Sequence, residues 1–140
     1  MDEIIAMLIH TGAALKPMKE DEIERMEKHA GRKFPKTYRK FLSTMSKGAG
    51  KFMRGSDVFY DRIDGLKDGA NELLEEDGLP HLSDDCFVFW MHQGYQIAFF
   101  KFDEGDDPTV YYFFEGSKDF TTENSFTGFL RAQLTISGDI

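Results

Sequence analysis

Four histidines, one cysteine and a dense set of carboxylates are the groups in this chain with chemistry to offer. His10, His29, His81 and His92 lie far apart, and none stands at the i, i+3 or i, i+4 spacing that puts two imidazoles on one metal. With a lone cysteine, the sequence carries no zinc signature and predicts no cofactor. Cys86 opens an apolar run, which reads as a small buried hydrophobe rather than a nucleophile. The tightest acid cluster, Asp103, Glu104, Asp106 and Asp107, invites a calcium reading. It lacks the alternating Asp-x-Asp-x-Asp-Gly order and the later bidentate Glu, so an acidic turn is favoured. Asp84 and Asp85 would serve as acid and base only if the fold brought them within a few ångströms of that cluster, and sequence alone does not place them there. Gly48-Ala49-Gly50-Lys51 resembles a phosphate loop but fails the test, since Phe52 stands where Ser or Thr must bind magnesium. No serine sits in a nucleophile elbow. The residues predict no active site and no enzyme.

The elements that must position these groups are organised around residues 86–102, CFVFWMHQGYQIAFFKF. Two aromatic and β-branched runs, too short for core helices, flank a polar connection with Gly94, which predicts a β-hairpin. Both parities are apolar, with Phe87, Phe89 and Met91 assigned to one face and Val88 and Trp90 to the other. A strand apolar on both faces belongs mid-sheet. At the turn, His92, Gln93, Tyr95 and Gln96 read either as a solvated bend or as a contact surface built on rigid amphipathic rings.

Before the hairpin, Ile4, Ile5, Leu8 and Ile9 predict a helix over 2–11, and Ile23, Met26, Glu27 and Ala30 trace the stripe of a second that stops at Gly31. Pro35 starts a third, with Tyr38, Phe41, Leu42 and Met45 inward and Lys36, Arg39, Lys40 and Lys47 as a basic ridge. A flexible loop is expected from Gly48 to Gly55 and a short strand over Asp57–Tyr60. Asp64 is expected to cap a helix running to Glu76. After the hairpin come the acidic turn, a third aromatic strand over Val110–Phe114 and a closing helix capped by Ser125, with the tail after Thr135 fraying. The expected fold is α+β: one domain over residues 1–140, a central antiparallel meander packed by N-terminal helices and a C-terminal helix.

Composition adds bounds. The 140 residues carry a net charge of −8, unevenly placed: −4 over 1–24, +9 over 25–56, −13 over 57–123 and zero beyond. Such polarity steers encounter with charged partners unless the lobes fold together and cancel. Overall acidity argues against direct nucleic-acid binding. No apolar run reaches membrane-spanning length, the N-terminus lacks a secretory pattern, and one cysteine excludes an internal disulfide, so a cytoplasmic location is expected.

The order Ile23-x-x-Met26-Glu27-x-x-x-Gly31-x-x-Phe34-Pro35-x-x-Tyr38-x-x-Phe41-Leu42 resembles the N-terminal motif of the SUKH superfamily, the Smi/Knr-like proteins. The Gln93-Gly94-Tyr95 turn, the Asp106-Asp107-Pro108-x-Val110-Tyr111 strand entry and Phe126-x-x-Phe129-Leu130 extend the resemblance over nearly the whole chain. Ser46-Lys47-Gly48-Ala49-Gly50 departs from it, because the family turn usually carries Asn. The resemblance implies a non-catalytic protein, a monomer or weak homodimer, that binds and neutralises a cognate toxin. The nuclease class would fit an acidic inhibitor. The alternative is a regulatory scaffold with no toxin partner. Asp84, Asp85, Asp103, Glu104, Asp106 and Asp107, with His92 and Tyr95 as anchors, are the expected contact residues.

Overall fold

The computed structural model describes residues 1–60, 63 and 65–137. Helix α1 (Asp2–His10) leads through a two-residue strand β1 (Leu15–Lys16) to α2 (Glu20–Ala30) and α3 (Lys36–Met45). Strands β2 (Gly48–Ala49) and β3 (Ser56–Asp57), helix α4 (Leu66–Glu76), strands β4 (Cys86–His92), β5 (Gln96–Lys101), β6 (Val110–Phe114) and β7 (Thr121–Glu123), and helix α5 (Phe126–Ser137) complete the order. The protein is α+β. Strands β3 to β7 form one antiparallel sheet in chain order, while β1 and β2 pair separately.

The hairpin sits inside the sheet, as its two-sided apolarity predicts. One face packs under α1, α2, α3 and α5, with Phe89, Trp90, Ala98, Phe100 and Val110 in one buried cluster with Ile4, Ile23, Tyr38, Phe41, Phe126 and Leu130. The other face packs under α4, with Cys86, Val88, Ile97, Phe99 and Phe113 against Leu66, Ala70, Leu73 and Leu74. The facing differs from simple alternation. Val88 pairs with Phe99 and Trp90 with Ala98, so Phe89 is an extra residue and the register shifts. This β-bulge turns Trp90 to the same side as Phe87 and Phe89 and sends Met91 to the α4 side. Gly69 of α4 leaves room for Met91, whose methyl would lie 3.1 Å from a Cβ there.

The link between α2 and α3 is fixed by a buried carboxylate. Glu27 is 8% exposed, on the inward stripe of α2. Its Oε2 accepts the Phe34 N–H at 2.7 Å, and Arg39 donates to both oxygens, Nε at 3.1 Å and Nη2 at 2.9 Å. Gly31, at φ +77°, ends α2 and turns the chain so that Phe34 reaches back. Burial pushes the Glu27 carboxyl upward, but the hydrogen bonds from Arg39 and Phe34 outweigh it and hold it below its ordinary value. Pro35 serves as the N-cap of α3 rather than within its first turn.

The basic ridge of α3 is not simply solvated. Arg39 also meets Glu20 at 2.7 Å, and Lys47, just past α3, holds Glu22 at 2.9 Å while lying over the Tyr60 ring. The segment from Gly48 to Gly55, expected to be flexible, is instead strand β2 followed by successive turns over 50–55, with Phe52 and Met53 buried. The short strand falls on Ser56–Asp57, pairing with Met91 and His92, rather than on Asp57–Tyr60. Asp64 lies outside the described residues; α4 begins after Gly65. Ser125 caps α5 as expected, accepting the Gly128 N–H at 2.9 Å, and the helix runs to Ser137, past its expected end.

Candidate functional site

The hairpin carries the candidate residues at its two ends. At the first, Cys86 pairs with Lys101 and the Phe102 N–H donates to the Asp85 carbonyl at 3.0 Å, so Asp84 and Asp85 share a sheet end with Asp103 and Glu104. His92, six residues on from Cys86 at the other end of β4, and Tyr95, in the turn that follows, lie at the opposite end. At ~3.3 Å per residue that is about 20 Å, so the eight residues divide into two surfaces.

At the acidic end most carboxylates have local work. Asp85 accepts a close hydrogen bond from the Ser83 hydroxyl, which holds its carboxyl below the usual range, and Cys86 Sγ donates to it at 3.7 Å. Burial pushes the Cys86 thiol up, away from the thiolate that a nucleophile needs. Asp103 meets Arg32 at 3.3 Å, and the same guanidinium lies 5.5 Å from the centre of the Phe102 ring. Glu104 accepts from Tyr111 Oη at 2.7 Å, a bond that pushes the Tyr111 phenol up to about 12.

Asp106 and Asp107 tie the loop to two helix starts. The Asp106 carbonyl accepts the Thr37 N–H at 2.9 Å, and Asp107 Oδ1 accepts Thr37 Oγ1 at 3.1 Å and the Thr127 N–H at 3.0 Å. A carboxylate at the first turn of α5 satisfies an orphan donor and meets the positive end of the helix dipole. Asp107→Ala is therefore expected to lower stability by about 1 kcal/mol, the usual size of a lost cap. Asp106→Ala, which keeps the backbone acceptor, should leave the urea midpoint unchanged. Equal effects of the two variants would remove this assignment.

Among the described residues Asp84 has no hydrogen-bond or ion-pair partner, and it lines a groove of about 550 Å³ with Arg25, His29 and Lys67. At the far end, His92 Nδ1 lies 2.9 Å from Ser56 Oγ and its ring stacks parallel to Trp90, while Tyr95 meets it edge-on. Gln93 and Gly94 both take positive φ, and the Tyr95 N–H closes the turn on the His92 carbonyl at 3.2 Å.

Charge pairing is lopsided. Arg25, Arg32, Arg39 and Lys47 of the basic segment all engage acids. Among the described residues, Asp103 is the one acid between 57 and 123 in an ion pair with Lys or Arg. Asp68, Glu72 and Glu76 stand exposed along α4, joined by Glu115 and Asp119 after β6. Sequence reading did not single out these α4 acids, although the charge count over 57–123 contained them.

A five-stranded antiparallel sheet clamped between helices and closed by a C-terminal helix defines an α+β fold. The chain matches the SUKH_6 family model, described as SMI1-KNR4 cell-wall, over residues 20–130, and it belongs to that family. The matched span runs from the start of α2 into α5 and takes in the Glu27 junction and the whole five-stranded sheet. No curated protein matches the chain. No helix among the described residues is long and apolar enough to cross a membrane.

Proposed function

We propose that this protein works by binding rather than by catalysis, as an immunity protein that docks and neutralises a cognate toxin in the cytoplasm. Family membership makes the role available, and one observation supports it: among the described carboxylates of residues 57–123, Asp103 alone is ion-paired with Lys or Arg. An unneutralised acidic surface favours a partner whose own surface is basic, and a nuclease must expose such a surface to hold phosphates. Asp84, Asp106 and the exposed acids of α4 are the side chains free to meet it. Asp103 and Asp107 also serve the fold, so a variant there would mix binding with stability.

The test is co-expression with the product of the neighbouring open reading frame. Protection from its toxicity and a copurifying complex that weakens as salt is raised are the expected results. Growth arrest despite expression, with no complex, would leave the alternative: a regulatory scaffold that recovers other host proteins and no toxin.

A further inference from the structure

Between the 50–55 turns, the bulged end of β4 and α5 lies a cleft of about 510 Å³. Among the described residues, no Asp or Glu lines it. Its floor includes Trp90, which is 2% exposed and whose indole N–H has no hydrogen-bond partner among the described residues. An indole N–H only donates, so the group that suits it is an acceptor. Among the described residues the cations present are Lys51 and Arg54, both exposed and neither in an ion pair there. Gln96, whose side-chain oxygen accepts from Tyr112 Oη, also lines the cleft. The apolar wall is aromatic: Tyr112 and Phe114 meet edge to face at 4.6 Å, and Phe114 is 41% exposed.

The loop that carries the cations is held in place. Met53 sits at φ +54°, a conformation that costs free energy in a residue with a side chain, and its own side chain is buried as an anchor. The N–H groups of Arg54 and Ser56 close turns on the carbonyls of Lys51 and Met53, both at 3.0–3.1 Å. Ser56 Oγ, in turn, fixes the His92 ring at the cleft wall.

We infer that this cleft is a binding site for a small oxyanion, carboxylate or phosphate, carried on an aromatic body. The anionic group meets Lys51, Arg54 and the indole N–H, and the body lies along Tyr112 and Phe114. The site is separate from the acidic surface proposed to meet a toxin, and either assignment can fail without the other.

Trp90 is the single tryptophan of the chain, so it reports the site directly. Phenyl phosphate and phenylacetate are titrated into the full-length protein, with benzyl alcohol as the neutral control. Trp90 emission and the indole N–H proton resonance are followed together. Saturable binding of at least one anion below ~1 mM, with a downfield shift of the indole proton and no binding of benzyl alcohol, is the expected result. The double variant Lys51→Gln/Arg54→Gln, at exposed positions, should keep its melting temperature and weaken binding at least about tenfold. No saturation by either anion, equal binding of benzyl alcohol, or full affinity in the double variant each overturns the assignment.

Discussion

Replacing Glu27 by alanine should cost about 3 kcal/mol of folding stability, the range seen when one partner of a buried, hydrogen-bonded charge pair is removed. The change strips the acceptor from the Phe34 N–H and leaves Arg39, tied at Nη2 and Nε to this carboxylate, with only the exposed Glu20. In a domain of this size, about 3 kcal/mol corresponds to a fall in melting temperature on the order of 10 °C. Glu27→Gln keeps the shape and one acceptor oxygen, so roughly half the loss is expected. The pH dependence has a definite sign. The folded-state pKa is depressed below the ordinary 4.5, so the contribution is present above that value and disappears as pH falls through the folded pKa. Urea curves for wild type and Glu27→Ala should therefore stand well apart at pH 7 and draw together in acid. A constant gap down to pH 3 would show that the carboxylate charge is not what holds the junction.

Glu27 also marks how far the sequence could be read. Its place on the stripe of Ile23, Met26 and Ala30 correctly announces burial. The reason a charged side chain tolerates that burial lies seven and twelve residues away, at Phe34 and Arg39, and helical periodicity does not reach that distance. The resemblance to the SUKH motif, with Glu, Gly and an apolar-Pro pair in order, held the same information without its mechanism. The aromatic hairpin was legible because both its faces are apolar, yet the swap of Trp90 and Met91 was not. A bulge is a relation between two strands, and β4 alone reads as plain alternation. Strands β1, β2 and β7 were invisible for a different reason: they are two or three residues long, and Thr121–Glu123 is wholly exposed. In the site, sequence could count acids but not assign them. Nothing in Asp103-Glu104-Gly105-Asp106-Asp107 says that one carboxylate holds Arg32, another Tyr111 and a third the start of α5. The hairpin reading, by contrast, did place Asp84 before the first strand and His92 at its turn, and they stand at the two ends of β4.

Phe126→Ala is expected to be the most damaging single change, at about 4 kcal/mol. The ring is fully buried where α5 meets α3 and the sheet. Its centroid lies 5.4 Å from Tyr38, 5.8 Å from Phe41, 5.1 Å from Phe89 and 6.4 Å from Phe100, all four contacts being edge-on. Two of these partners belong to α3, one to β4 and one to β5, so a single side chain joins three elements. How much a truncation costs depends on whether the walls can close over the void, and here each wall is fixed on its own. Ser125 and Asp107 hold the start of α5, the Glu27 junction holds α3, and the β4–β5 ladder holds Phe89 and Phe100. The cavity should therefore persist, adding its cost to the lost transfer free energy. Phe120 provides the contrast: it also packs against aromatic rings, Phe99 and Phe113, but is 40% exposed, so Phe120→Ala should cost less than about 1.5 kcal/mol. Urea unfolding of the two variants at pH 7 separates the cases. A Phe126→Ala loss near that of Phe120→Ala would mean that α5 settles inward to fill the gap, and that its N-terminal caps do not fix its position on the sheet.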